Sequence, residues 1–463
     1  MNTAEFRKHG YQLIDWIADY WEGVEQMPIL PQVRPGEIRS MMPDRAPEHP
    51  ESFDDIMADL DRVVMPGIAH WQSPGWFAFF PANSSPPAVL GELAAAGLGV
   101  QGMLWATSPA CTEIEAQVMD WMVDLMGLPQ GWKTTGPGGG VIQGSSSEAT
   151  HLAAVIARHV KSQEAAADQM VAYTSAQAHS SVEKGVRVAG IGHLRLVETD
   201  SQQAMDPPAL RRMIDSDRAS GLVPAFVAGT VGTTGTTAVD PVRAIGRIAR
   251  SEGIWHHVDA AFSGTAMICP EFRHHQDGLD LVDSYVFNPH KWMFTNFDCS
   301  AMYWADRQPV INTLSITPPY LRNQASEAGE VIDYRDWQVP LGRRFRALKL
   351  WFVLRSYGAE GIRSVVREHV RLARWLTGRV EAHPALEMVA PTTFSLVSFR
   401  HAESAEQTTR LAEGINSSGW AYVTVSILDG QPFIRVSIGQ THTGERHVHR
   451  LWEMINRLTG ETT

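Results

Sequence analysis

The sequence predicts an α/β protein with a large, mostly parallel sheet domain and a smaller α+β C-terminal domain. Three observations predict it. Short β-rich runs alternate with helical stretches from about residue 136 to 305, as crossover-connected parallel sheets require. After about residue 340 the order changes to long helical stretches followed by short strands. The 463 residues are 44% apolar and 19% charged, the composition of a folded globular chain of more than one domain.

The elements follow in order. Residues 4–25 place Phe6, Leu13, Ile14, Ile17, Tyr20, Trp21 and Val24 near helical spacing, an apolar stripe on a polar helix. Residues 26–50 then carry Pro28, Pro31, Pro35, Pro43, Pro47 and Pro50, so the helix cannot fold back on an adjacent partner. Its stripe needs either a second subunit or the chain's own large domain. Strands are expected at Val171–Tyr173, His193–Val197, Val223–Val231, Ile254–Val258, Ser284–Phe287 and Ala301–Trp304, with helices at 145–162, 206–220 and 240–252. Further on, helices at 345–357 and 360–382 lead to strands at 395–400 and 432–438 and a last helix at 443–458. The expected division is 1–85 (N-terminal helical dimerisation segment), 86–347 (large domain) and 348–463 (small domain).

Global features exclude several classes. The 51 acidic and 39 basic residues give a net charge of −12, against a nucleic-acid binder. Three separated cysteines without CxxC spacing suit a reducing compartment, with no metal site. No signal pattern opens the chain and no apolar run reaches the ~18 residues of a membrane span. A cytoplasmic protein is expected.

Four segments carry chemistry. Gly138-Gly139-Gly140 leads through Val141–Gly144 to Ser145-Ser146-Ser147-Glu148. Glycines allow close backbone approach, and serines open a helix whose free N–H groups suit a phosphate. The same residues also fit a capped helix after a loop. Asp259 closes an apolar strand, at the edge where open α/β sheets bind ligands. It suits a pyridinium nitrogen, or a helix cap or ion pair. The neighbouring His256 and His257 face opposite sides of that strand and are structural. His179 follows another strand and can stack on a ring, move protons, or hydrogen-bond within its loop. Lys291, in Asn288-Pro289-His290-Lys291-Trp292, stands just beyond the strand Ser284–Phe287 and suits a Schiff-base amine. In this order the four fit pyridoxal 5'-phosphate.

These segments resemble the group II pyridoxal-phosphate-dependent decarboxylases, the aromatic L-amino acid decarboxylases above all. The resemblance rests on Asn288–Trp292, Asn296–Met302, His257–Ala261 and Gln177–Ser181, and on Cys269–His274 and Pro340–Arg346. It implies fold type I, the aspartate-aminotransferase-like arrangement, in a homodimer with active sites at the interface. By its motifs Lys291 binds the cofactor aldehyde, Asp259 the ring nitrogen, with Ala261 against the ring and His179 stacked above it. Ser146, Ser147, Asn288 and His290 serve the phosphate, and Thr233 or Thr234 the ring hydroxyl. Tyr320, in Pro318-Pro319-Tyr320-Leu321, donates a proton to Cα from a lid; composition alone fits an ordinary surface loop. The aromatic substrate meets Trp71, Phe79, Phe80, Pro81 and Gly342 and, across the dimer, Gln101 and Met103. Animal members carry tyrosine where Phe79 stands and phenylalanine where Met103 stands. Plant relatives carry glycine at the position of Gly342 for indole substrates and serine for phenolic ones. The implied activity is broad decarboxylation of tryptophan, 5-hydroxytryptophan, phenylalanine, tyrosine and DOPA. The alternatives are aldehyde synthesis on the same fold and a non-catalytic cofactor-binding protein.

Overall fold

Runs such as Val-Ala-Tyr-Thr and Ala-Phe-Val-Ala have no polar face, so they suit only strands covered on both sides. The computed structural model, which describes residues 1–316, 325, 328 and 330–460, places them in this way. Seven strands form one sheet: β1 (Gly139–Gln143), β2 (Met170–Ser175), β3 (His193–Val197), β4 (Val223–Thr230), β5 (Trp255–Asp259), β6 (Ser284–Phe287) and β7 (Ser300–Trp304). Their spatial order is β1-β7-β6-β5-β4-β2-β3. The pairs β2–β3, β2–β4, β4–β5 and β5–β6 are parallel, while β7 pairs antiparallel with both β6 and β1.

Alternate strand residues feed two cores. Ala172 and Phe226 pack against Leu152, Ala153 and Ile156 of the helix Ser146–Lys161. Val171, Tyr173 and Val227 pack against Leu210 and Ile245 on the opposite face, from the helices Pro207–Ala219 and Val242–Glu252. Each of the valine, leucine, isoleucine and phenylalanine side chains contributes about 1.5–3 kcal/mol by burial.

Two local expectations are corrected. Gly139 and Gly140 are not part of a phosphate loop; they belong to β1. A Cβ on Gly140 would meet Met119 and Tyr303, and one on Gly139 would meet Trp337. Glycine is needed there for packing. The helices expected at 345–357 and 360–382 run on as one element, Arg346–Glu381, interrupted at Gly358 (φ 63°, ψ 167°). The break is the left-handed conformation that glycine alone adopts freely.

A second, antiparallel sheet holds β8 (Leu386–Met388), β9 (Leu396–His401), β10 (Thr424–Leu428) and β11 (Gln431–Ser437) in the order β10-β11-β9-β8. The early chain is tied to it: Phe77 N–H donates to the Tyr422 carbonyl (3.0 Å) and Ser437 N–H to the Phe77 carbonyl (2.9 Å). The first helix, Thr3–Gly23, buries none of its residues. It touches its own flank through Trp16 Nε1–H to Asp61 (2.9 Å) and the Tyr20–His70 hydrogen bond (3.2 Å), and leaves Phe6, Tyr11 and Ile14 exposed. No helix among the described residues is long and apolar enough to cross a membrane.

Candidate active site

The parallel strands β2, β4, β5 and β6 deliver their carboxyl ends to one edge. Asp259 ends β5, beside Thr230 of β4 and Val286 of β6. Beyond β6, Asn288 leads into the helical turn Pro289–Trp292, with Pro289 at its first position. Proline is pre-shaped for that position, and the turn sets Lys291 over the sheet edge.

Lys291 is partly accessible but crowded. Desolvation pushes its ammonium below the usual lysine range; Asp259 opposes this and Arg435 reinforces it. An amine so depressed is more often uncharged and nucleophilic. Asp259 is 4% exposed. Its Oδ1 accepts the Ala261 N–H at 2.9 Å, and among the described residues no cation lies within ion-pairing distance. A buried carboxylate needs a compensating charge, and a protonated pyridine nitrogen supplies one. The site therefore fits pyridoxal phosphate on a property of its own residues.

The phosphate end is built from groups whose free atoms are donors. Ser145 caps the helix Ser146–Lys161 by accepting the Glu148 N–H (3.1 Å), leaving the first-turn N–H groups of Ser146 and Ser147 at the open end. Asn288 Oδ1 accepts the hydroxyls of Ser146 and Ser300, each at 2.6 Å, which turns its amide nitrogen outward. His290 accepts the Cys299 N–H at Nδ1 (2.9 Å). A backbone N–H can only donate, so the ring proton sits on Nε2. Burial, then neighbouring Lys291, pushes His290 down to about 3, so it stays a neutral donor.

His179 stands at the exposed face of the cleft, held by Ser181 through contacts at Nδ1. Of the two threonines, Thr233 is fully buried and its hydroxyl accepts the Ala238 N–H (3.0 Å) inside a turn. Thr234 is partly accessible and is the one free to meet a ligand. Ala261 follows Asp259 and is also partly accessible.

The aromatic residues form two stacks that adjoin in sequence at Phe79 and Phe80. Trp71 stacks on Trp76 (4.2 Å between centroids) and on Phe79 (5.8 Å). Phe80 stacks on Phe262 (4.0 Å), and Phe262 on Trp292 (4.7 Å). Lys291 Nζ lies 5.3 Å from the centre of the Phe80 ring and the Arg435 guanidinium 5.2 Å from it. Pro81 is buried beside Gly439. Gln101 and Gly342 form a separate pair: Gln101 Oε1 accepts the Arg343 N–H at 2.7 Å. Met103 is nearby in sequence and accepts the Arg335 N–H at 3.2 Å. Among the described residues no hydrogen bond, ion pair or ring stack joins this second group to Trp71 or Phe79 within one chain. Tyr320 lies outside the described residues.

Sequence reasoning missed two residues. Asn83, 2% exposed, donates from Nδ2 to the carbonyls of Lys291 (2.7 Å) and Gly439 (2.8 Å), and its Oδ1 accepts the Thr441 N–H (2.9 Å). It fixes the backbone of Lys291 against the small sheet. Arg435, 4% exposed, donates to the carbonyls of Gly235 (3.3 Å) and Phe79 (3.4 Å) and to the Thr424 hydroxyl (3.0 Å). Nothing in the loop sequence marks Asn83. Arg435 had a signal: it is the lone charge in the apolar strand Phe433–Val436, where an arginine is rare without a purpose.

This edge, with one crowded lysine, a carboxylate without a cation partner among the described residues and a group of neutral donors, suits a pyridoxal-phosphate enzyme of fold type I. The family described as pyridoxal-dependent decarboxylase conserved domain matches residues 35–402. Phenylacetaldehyde synthase of Arabidopsis thaliana is 43% identical, over 98% of this chain and 96% of that protein. Aromatic-L-amino-acid decarboxylase of Sus scrofa is 42% identical, over 100% of this chain and 97% of that one. The structure of Oryza sativa TDC with PLP and tryptamine superposes with a TM-score of 0.97 at 38% identity, covering 100% of this chain and 99% of that one. The chain belongs to the pyridoxal-dependent decarboxylases, in group II, and its cofactor is pyridoxal 5'-phosphate.

Proposed function

We propose that the protein decarboxylates aromatic L-amino acids to arylalkylamines and CO₂, with tryptophan among its substrates. The observation that carries this is the aromatic wall of Trp71, Phe79 and Phe80, one end of which lies against Lys291. Such a surface buries an indole or phenyl ring. Bound pyridoxal phosphate supplies a ring that accepts the electron pair released when a bond at Cα breaks. The protein's own residues do the rest. Lys291 supplies the amine that anchors the group, its charged form disfavoured by crowding. Asp259 holds a proton at the ring nitrogen. Asn288, His290, Ser146 and Ser147 hold the phosphate, and Thr234 meets the ring hydroxyl. The wall orients the substrate ring and excludes water from Cα, and Tyr320 holds the proton that Cα receives.

Phe79 carries no hydroxyl to match a hydroxylated ring, which favours plain rings and breadth. The exposed stripe Phe6, Tyr11 and Ile14 supports a homodimer, in which the partner copy contributes Gln101 and Met103. The proposed units are 1–85, 86–347 and 348–463, the last boundary falling just inside the helix Arg346–Glu381.

A second activity, aldehyde formation with release of ammonia and peroxide, is supported by the 43% identity to a phenylacetaldehyde synthase. His179 and Tyr320 are both present, which favours simple decarboxylation, since synthases resembling this chain alter one or the other. Products from phenylalanine, tyrosine, DOPA, tryptophan and 5-hydroxytryptophan decide between the two. Amine and CO₂ in equal amounts support the proposal; peroxide matching CO₂ overturns it, and absence of tryptophan turnover removes the breadth. Lys291→Ala should abolish turnover, and activity surviving in that variant would refute the assigned anchor.

A further inference from the structure

The helix Ser181–Ala189 begins directly after His179 and points its N-terminus at that ring. The Ser181 N–H donates to His179 Nδ1 at 3.1 Å, and the Ser181 hydroxyl lies 2.8 Å from the same nitrogen. Because an amide N–H only donates, Nδ1 must present its lone pair, and the single proton of the neutral ring is on Nε2. Among the described residues Nε2 has no partner. The positive end of the helix dipole at Nδ1 opposes a second proton.

We infer that Ser181 is a positioning residue that holds His179 neutral with its proton on Nε2, so that His179 acts in turnover as a hydrogen-bond donor and not as an acid or base. The inference rests on the proposed amino-acid chemistry for the identity of the acceptor. An α-amino acid presents one anionic group, its carboxylate, and a neutral Nε2–H is a donor suited to it. To act as a base the ring would have to free Nδ1 from Ser181. To act as an acid it would have to become an imidazolate. Both cost more than a hydrogen bond.

The surroundings agree. Burial lowers His179 from the ordinary histidine range; Asp259 at the end of β5 opposes this and Lys291 adds to it. Glu148, His151 and Lys184 line the same cleft. The same arrangement recurs twice nearby. Cys299 N–H holds Nδ1 of His290 (2.9 Å), and Trp292 Nε1–H holds Nδ1 of His369 (2.9 Å). Three histidines linked to the Lys291 turn or its cleft are thus set in one tautomer by donors that cannot reverse.

The test is ¹⁵N-histidine NMR of the holoenzyme between about pH 5.5 and 8.5, bracketing the ordinary imidazole range, with His179 assigned by loss of its signals in His179→Gln. The expected result is a neutral Nε2–H ring throughout. An Nδ1–H tautomer, or an imidazolium at neutral pH, overturns the inference whether or not any amino acid is turned over. Ser181→Ala removes only the hydroxyl and should keep the tautomer. Ser181→Pro removes the N–H as well as the hydroxyl. It should free Nδ1, raise the pH at which the ring protonates relative to Ser181→Ala, and add an acid limb to kcat/KM that Ser181→Ala lacks. The side-chain amide of His179→Gln reaches the Nε2 position and that of His179→Asn the Nδ1 position. The glutamine variant should retain at least about tenfold more kcat/KM, while both bind the carboxylate-free amine product equally. Equal loss in the two variants, or weaker amine binding in step with the loss, overturns the assigned donor role.

Discussion

Asn83→Asp replaces one atom and should damage both stability and cofactor retention. In the native protein Asn83 Nδ2 reaches the carbonyls of Lys291 and Gly439 at 2.7 and 2.8 Å. Aspartate keeps an acceptor for the Thr441 N–H but sets a second oxygen against those two carbonyls. Two hydrogen bonds are lost and two buried carbonyls are left unpaired at about 1–3 kcal/mol each, giving roughly 2–6 kcal/mol. The site is 2% exposed, so water repairs little of this. Urea unfolding at fixed protein concentration measures the change from the midpoint if the slope is unchanged, and absorbance titration measures cofactor affinity. At acid pH the aspartate can protonate and donate to one carbonyl, so the defect should shrink. A shift under about 0.5 kcal/mol, the size of an ordinary surface substitution, with unchanged cofactor affinity, refutes the role given to Asn83.

Glu115 (0% exposed) pairs with Arg343 (3% exposed) and accepts the Ile142 N–H at 2.8 Å. Glu115→Ala strands the guanidinium and should cost about 3–5 kcal/mol in urea unfolding; a loss no larger than that of Glu183→Ala, in the exposed ion pair with Arg187, would contradict this. A Cβ at Gly342 would stand 3.1 Å from Gln101 Nε2. Gly342→Ser should therefore displace Gln101, add a hydroxyl, and raise the tyrosine-to-tryptophan ratio of kcat/KM by about tenfold, as read in paired steady-state assays. Stability of the apoprotein should fall as pH drops below the ordinary histidine range. Burial lowers His256 to about 4, His257 to about 3 and His369 to about 4. Their stabilisation is present above about pH 6.5 and is lost as pH falls through the folded values. Asp240, raised to about 6 by burial, works the other way, since its contribution is present below about pH 3.9 and lost as pH rises through its folded value. Half-buried His275 (about 4) and Asp283 (about 6) offset one another. His290, lowered to about 3, adds to the histidines, so more histidines than carboxylates are shifted and stability should rise with pH near pH ~5, which unfolding midpoints at several pH values would show.

The parallel strands were legible because they are buried on both faces and read as apolar runs. The strand His193–Val197 was placed to the residue, and Asp259 was legible as an acid ending such a run. β1 was hidden because its first residues are glycines, chosen for the bulk of Trp337, Met119 and Tyr303, which come from distant segments. The merged helix was hidden because a single glycine, Gly358, breaks the dihedrals without ending the element. Lys291 and His179 were singled out from local context. Asn83 was not, since its meaning lies wholly in partners elsewhere in the chain.

That distance has a consequence for how the molecule is made. Asn83 closes on Lys291 across 208 residues and on Gly439 across 356, and Arg435 reaches Phe79 across 356. A nascent chain has Lys291 long before it has residue 439. The large sheet can therefore form during synthesis, but the anchor for the cofactor is completed only when almost the whole polypeptide has emerged. Cofactor capture is therefore expected late in maturation, and a chain truncated before β11 should leave the ribosome with its lysine in place and its vitamin unclaimed.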